Sequence, residues 1–109
     1  MIGRRLAVPE SGDINDMYET FQPGDYCGPM PVVVAINSDG TKRYESGVYM
    51  ELPPGPFIHI TSPPWDFREC PDGSLEIGGS ILTTYYDENA GKKVQWHGFL
   101  DEGHHWREV

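Results

Sequence analysis

The sequence predicts a single, mainly β domain: a small antiparallel barrel or sandwich built as a meander, with one short helix near its amino end. Three observations predict it. Thirteen glycines and ten prolines in 109 residues punctuate the chain too often for long helices. Between them lie short runs of branched and aromatic residues, the composition strands prefer. The final stretch, from Trp96 to Val109, sets two such runs on either side of Asp101-Glu102-Gly103. Glycine there supplies the positive φ that closes a hairpin at little steric cost. A chain of this length supports one modest core, so residues 1–109 form one domain.

In chain order, the helix is expected from about Asp13 to Phe21. Ile14, Met17, Tyr18 and Phe21 fall at i, i+3, i+4 and i+7 and make one apolar stripe. Ser11 or Asp13 can cap it, and Pro23-Gly24 ends it. Val32-Val33-Val34-Ala35-Ile36, the Ser38-Asp39-Gly40 turn and Thr41 to Glu45 predict a first hairpin. Gly47 to Leu52 predicts a further strand, closed by Pro53-Pro54-Gly55-Pro56 because proline lacks the amide hydrogen a ladder needs. Phe57 to Thr61 is extended, Ser62-Pro63-Pro64 stops it, and Trp65-Asp66-Phe67 puts two rings on one face. After the Pro71-Asp72-Gly73 turn, Ser74 to Leu82 alternates, with a bulge or a sharp bend expected at Gly78-Gly79. A polar loop from Asp87 to Gly91 leads to the last hairpin, beginning near Lys93.

Charge narrows the function classes. Seventeen acidic against eight basic side chains give a formal charge of −9, which argues against direct binding to nucleic acid or anionic lipid, whose phosphates call for Lys and Arg. The same field attracts basic protein surfaces. The densest acidic group, Glu10, Asp13, Asp16 and Glu19, recurs every three residues beside the expected helix, and the turn acids Asp101 and Glu102 form a second candidate contact. Arg4 and Arg5 have no apolar run behind them and no segment is long enough to span a membrane, so the expected location is the cytoplasm. Cys27 and Cys70 are expected to be free thiols.

No motif for chemistry emerges, and no catalytic residue, metal or cofactor is assigned. Cys70-Pro71-Asp72-Gly73 lacks a second thiol, and adjacent His104 and His105 point to opposite faces of a strand. Neither cysteine has a recognisable activating context, and Gly78-Gly79-Ser80 has neither the lysine nor the helix of a phosphate loop. A pocket combining His97 with Cys27, Cys70 or His59 is the residual route to a small metal- or ligand-binding enzyme. Trp65, Trp96 and Trp106 read first as core, and otherwise, with Tyr85 and Tyr86, as a stacking platform.

Pro23-Gly24-Asp25-Tyr26, Trp65, Asp72-Gly73-Ser74-Leu75, Ser80-Ile81-Leu82 and Trp96-His97-Gly98-Phe99-Leu100 with Gly103 and Trp106 together resemble a family of small, mostly uncharacterised proteins encoded by bacteriophages and prophages, particularly of actinobacteria. That pattern has proline before the serine of its middle motif, where this chain has Gly79. The resemblance implies phage origin and carries over no catalytic residue. Trp65, Trp96, Phe99 and Trp106 are expected as structural anchors, and Gly98 and Gly103 as backbone requirements. The expectation is a non-enzymatic phage accessory protein that binds a basic surface of a host protein, as an acidic inhibitor of a defence or nucleic-acid-handling factor. The alternatives are a virion decoration or assembly protein, which would form a homo-oligomer and be located in the virion, and the His97-dependent enzyme.

Overall fold

The computed structural model describes residues 1–109. Nine strands carry the fold: β1 (Arg4–Leu6), β2 (Asp25–Ile36), β3 (Lys42–Glu51), β4 (Phe57–Ser62), β5 (Asp66–Glu69), β6 (Leu75–Gly78), β7 (Ile81–Asp87), β8 (Lys92–Asp101) and β9 (His105–Glu108). They form three sheets, ordered β1-β2-β3-β4, β5-β6 and β7-β8-β9, with no closed barrel. Every pairing is antiparallel except β1 with β2. The first two expected strands after the hairpin turn are one: β3 runs unbroken from Lys42 through Gly47 to Glu51.

Gly47 keeps its place because its backbone lies against Val32 and the Ile60 carbonyl, leaving no room for a Cβ. At Gly78-Gly79 the chain leaves β6 for a different sheet, with Gly79 at φ 109°. Trp65 lies over that bend and donates from Nε1 to the Ser80 carbonyl at 3.0 Å.

One core joins the sheets. Tyr26, Val48, Met50 and Ile60 from the first sheet meet Leu75 and Ile77 of β6, and Ile81, Trp96, Leu100 and Trp106 of the third sheet. The alternation of strand side chains sends the opposite face of the first sheet elsewhere: Cys27 and Met30 pack with Phe21 and, at the edge, with Met17, Tyr49 and Phe57.

The expected helix is not formed. Two single 3-10 turns, Ile14–Asp16 and Tyr18–Thr20, replace it, separated by Met17 at φ −135°. The apolar stripe is real, since Ile14, Met17 and Phe21 all face the smaller core. A nine-residue segment containing two Asp, one Asn and one Thr has too little propensity to sustain α-helix, and its side chains compete for the backbone. Asp13 accepts from the Asn15 amide at 2.9 Å, and Thr20 Oγ1 donates to the Met17 carbonyl at 2.7 Å.

Candidate functional site

Glu10, Asp13, Asp16 and Glu19 are all exposed, and none of them is in an ion pair. The 3-10 turns hold them on a segment anchored from beneath by Ile14, Met17 and Phe21. Ser11 donates to Asp16, and Asp13 caps the first turn, so two of the four carboxylates also order their own loop. The turn acids differ from this group. Asp101 is paired with Arg107 Nε at 3.0 Å, while Glu102 is exposed beside Cys70 and Asp72.

A second polar constellation lies where β1, the β5–β6 turn and the β8–β9 turn converge. Arg4 grips the buried Asp25 carboxylate through both oxygens, at 2.9 and 2.6 Å. Arg5 reaches the other way, clasping Glu69 at 2.5 and 2.6 Å and donating to the Gly28 carbonyl at 2.8 Å. These two arginines explain why a three-residue parallel strand persists at the sheet edge, which no sequence pattern announced.

Behind Arg5, the fully buried Tyr26 hydroxyl accepts from the Leu75 amide at 3.1 Å and lies 2.6 Å from His104 Nδ1. With the phenol donating to Nδ1, the imidazole carries its proton on Nε2. His104 has φ 60°, the one non-glycine residue in the left-handed region. Gly103 at φ 82° precedes it and donates to Ser74 Oγ at 2.8 Å, tying the two turns together. An open groove of about 500 Å³ between Arg5, Gly28, Gly73 and His104 borders this network.

The same convergence brings Cys70, Asp72 and Glu102 together, with their ligand atoms within 4.8 Å of one another. These are the residues that could hold a metal ion, and they come from two turns that the sequence does not link. Asp72 already accepts from the Ser74 amide and hydroxyl at 2.9 and 2.5 Å, and the Cys70 thiol donates to the Arg68 carbonyl at 3.8 Å. The arrangement is thus also satisfied as a turn.

Titration follows from these bonds. Hydrogen bonds from Arg5 hold Glu69 below the usual carboxylate range, and those from Ser74 do the same for Asp72. Burial pushes the Tyr26 phenol and the Cys27 thiol up. A depressed carboxylate stabilises the fold above its unfolded pKa, and that contribution disappears as pH falls through its lower folded value. Thermal stability is therefore expected to drop below about pH 4, with Glu69→Gln flattening the acid limb. Calorimetry across pH 2–6 checks this, and an unchanged limb in the variant would refute it. For Tyr26 the sign reverses: the stabilisation holds below about pH 10 and is lost above it.

The remaining expected residues fall in several places. Trp96 and Trp106 are core, stacked edge to face at 5.8 Å, and Trp65 packs against the same core, so none is a free platform. Tyr85 packs there too, and Tyr86 is exposed. Phe99 is not a core anchor. It sits half-buried on the outer face of β8, where the Arg107 guanidinium covers its ring at 4.2 Å. Gly103 meets a backbone requirement, whereas Gly98 is needed for space: a Cβ there would lie 2.5 Å from the Trp96 ring.

His97 lies alongside Phe99. Cys27 belongs to the smaller core, Cys70 to the β5–β6 turn, and His59 to β4 beside Tyr49, so no group of three potential ligands includes His97. Both thiols are free and buried. No helix is long and apolar enough to cross a membrane. No protein-family model, no curated protein and no solved structure matches this chain.

Proposed function

We propose that the chain is a non-enzymatic, phage-encoded accessory protein that binds a basic surface of a host protein through its acidic amino-terminal segment. The observation that carries this reading is the distribution of ion pairs. Arg4, Arg5, Arg68 and Arg107 are each engaged by a carboxylate within the chain. Glu10, Asp13, Asp16 and Glu19 are left exposed with no internal counter-charge, on a segment pinned by its apolar face. Unpaired carboxylates in fixed positions favour association with a basic surface, both by steering the encounter and by pairing after it. Glu102 is a second exposed acid available to such a partner, while Asp101 is engaged by Arg107.

The test is capture from a lysate of the natural host at low and then raised salt, with the wild type and a variant carrying Glu10→Gln, Asp13→Asn, Asp16→Asn and Glu19→Gln. One basic nucleic-acid-handling or defence protein is expected at stoichiometric yield. Salt should release it, and the variant should bind it at least about tenfold more weakly. Equal recovery by the variant would overturn the reading. A virion or assembly role is the second reading, favoured by an unprotected strand edge in the third sheet.

A further inference from the structure

The outer edges of most strands are protected. Residues 1–3 cover β9, through Gly3 N–H to the His104 carbonyl at 2.7 Å and Trp106 N–H to the Met1 carbonyl at 2.8 Å. Beyond its contact with β1, β2 carries Pro29, Pro31 and two register shifts, each of which disrupts a ladder. β4 is bracketed by Pro56 and Pro63-Pro64. β1 and β5 are short and charged.

β7 has none of these defences. Its register with β8 is regular from Ile81 to Asp87, and its other edge pairs with no strand. Ile81 to Tyr86 contains no proline, glycine or charge. On its solvent face Leu82 and Tyr86 are 57% and 61% exposed, with Thr84 between them. A regular, neutral, apolar edge of this kind is a template for another strand.

We infer that a second copy of this chain pairs with β7, antiparallel across a two-fold axis at Thr84, giving a six-stranded sheet β9-β8-β7-β7-β8-β9. Three observations select a second copy over a foreign strand. Antiparallel partners directly opposite share a face, so a two-fold at Thr84 sets Leu82 against Tyr86 of the other copy, twice, and Thr84 against itself. The two large exposed side chains of this edge thus cover each other. The region is also locally neutral, because Lys92 and Lys93, which make no internal ion pair, lie opposite Asp87 and Tyr86 on β8 and offset Asp87 and Glu88. A copy of a chain with charge −9 can approach here without the repulsion it meets elsewhere.

Finally, this register brings Gly79-Ser80 of the second copy to the Asp87 end. An open groove of about 310 Å³ lies there between Pro54-Gly55-Pro56 and Tyr85 to Asn89. The contact differs from the acidic segment of the proposed function and stands independently of it.

Sedimentation of the 12.3 kDa chain tests the proposal. Twice that mass is expected at high protein concentration, with little change between low and moderate salt, since an apolar ladder is poorly screened. Thr84→Lys, which opposes like charges on the axis, should weaken the dimer at least about tenfold. Thr84 is exposed, so the variant should fold, and circular dichroism verifies this. Thr84→Cys should give a covalent dimer on oxidation, because directly opposed residues lie about 4.5–5.5 Å apart at Cα, within disulfide reach. Ser38→Cys, at a distant turn, should not.

A monomer at several hundred micromolar, or a dimer indifferent to Thr84→Lys and uncrosslinked at Thr84, overturns the inference. Salt-released host capture that persists in Thr84→Lys would separate its failure from that of the proposed function.

Discussion

Trp106→Ala is expected to destabilise the chain by about 3–5 kcal/mol, the usual cost of truncating a buried tryptophan. Only 3% of the residue is exposed, and its ring meets Trp96 edge to face at 5.8 Å. Its indole nitrogen donates to the Gly24 carbonyl at 2.8 Å, across the seam between β9 and the start of β2. The substitution therefore opens a cavity and strands a buried carbonyl, two costs that add. Domains of this size have about 5–15 kcal/mol in total, so a large share of the folded state's margin is at stake. Urea unfolding measures it, with a lower midpoint and an unchanged slope expected. Trp106→Phe keeps an aromatic ring in the core while removing the donor and only part of the volume, so its cost should be the smaller, at about 1–3 kcal/mol. Equal midpoints for the wild type and Trp106→Ala would show that the seam is not held this way.

Gly98→Ala is the second large effect, and here two tendencies oppose one another. A strand glycine ordinarily costs about 0.5–1 kcal/mol relative to alanine, so the substitution should help on entropy alone. A Cβ at Gly98 would, however, lie 2.5 Å from Trp96 Cη2 and 2.6 Å from the Arg107 carbonyl. Neither neighbour can retreat easily, because the ring is in the core and Arg107 is paired with Phe99 in the β8–β9 ladder. Overpacking of this kind costs about 1–3 kcal/mol and outweighs the entropy gain. The mechanism predicts non-additivity: in a Trp96→Phe background, the smaller ring makes room and the penalty of Gly98→Ala should shrink. Additive losses in that cycle would sink the explanation.

The strands were legible because their punctuation is local. Ser38-Asp39-Gly40, Pro71-Asp72-Gly73 and Asp101-Glu102-Gly103 each mark a turn that the structure contains, and Gly78-Gly79 marks the exit from one sheet to another. The helix was misread for an instructive reason. A 3.6-residue stripe at Ile14, Met17, Tyr18 and Phe21 picked out three side chains that face inward and one, Tyr18, that stays exposed, and successive 3-10 turns satisfy nearly the same pattern. Periodicity fixed the buried face and left the backbone hydrogen bonding open.

The convergence of Arg5, Tyr26, Ser74 and His104 was invisible, since it joins residues far apart in sequence, two on strands and two in turns. His104 carried one faint signal, an imidazole next to the glycine of a tight turn, where φ is positive. The acidic segment was legible as a spacing of charges. Its exposure depended on which face the 3-10 turns bury.

The two free thiols have a consequence of their own. Cys27 is sealed in the small core beneath the amino-terminal turns, where burial raises its pKa. Cys70 is sealed in a different place, at the turn between β5 and β6. A thiol reagent reaches a buried sulfur only when its surroundings open. The chain thus contains two chemical clocks: Cys27 runs at the rate at which the 3-10 segment lifts from the first sheet, and Cys70 at the rate at which the β5–β6 turn loosens.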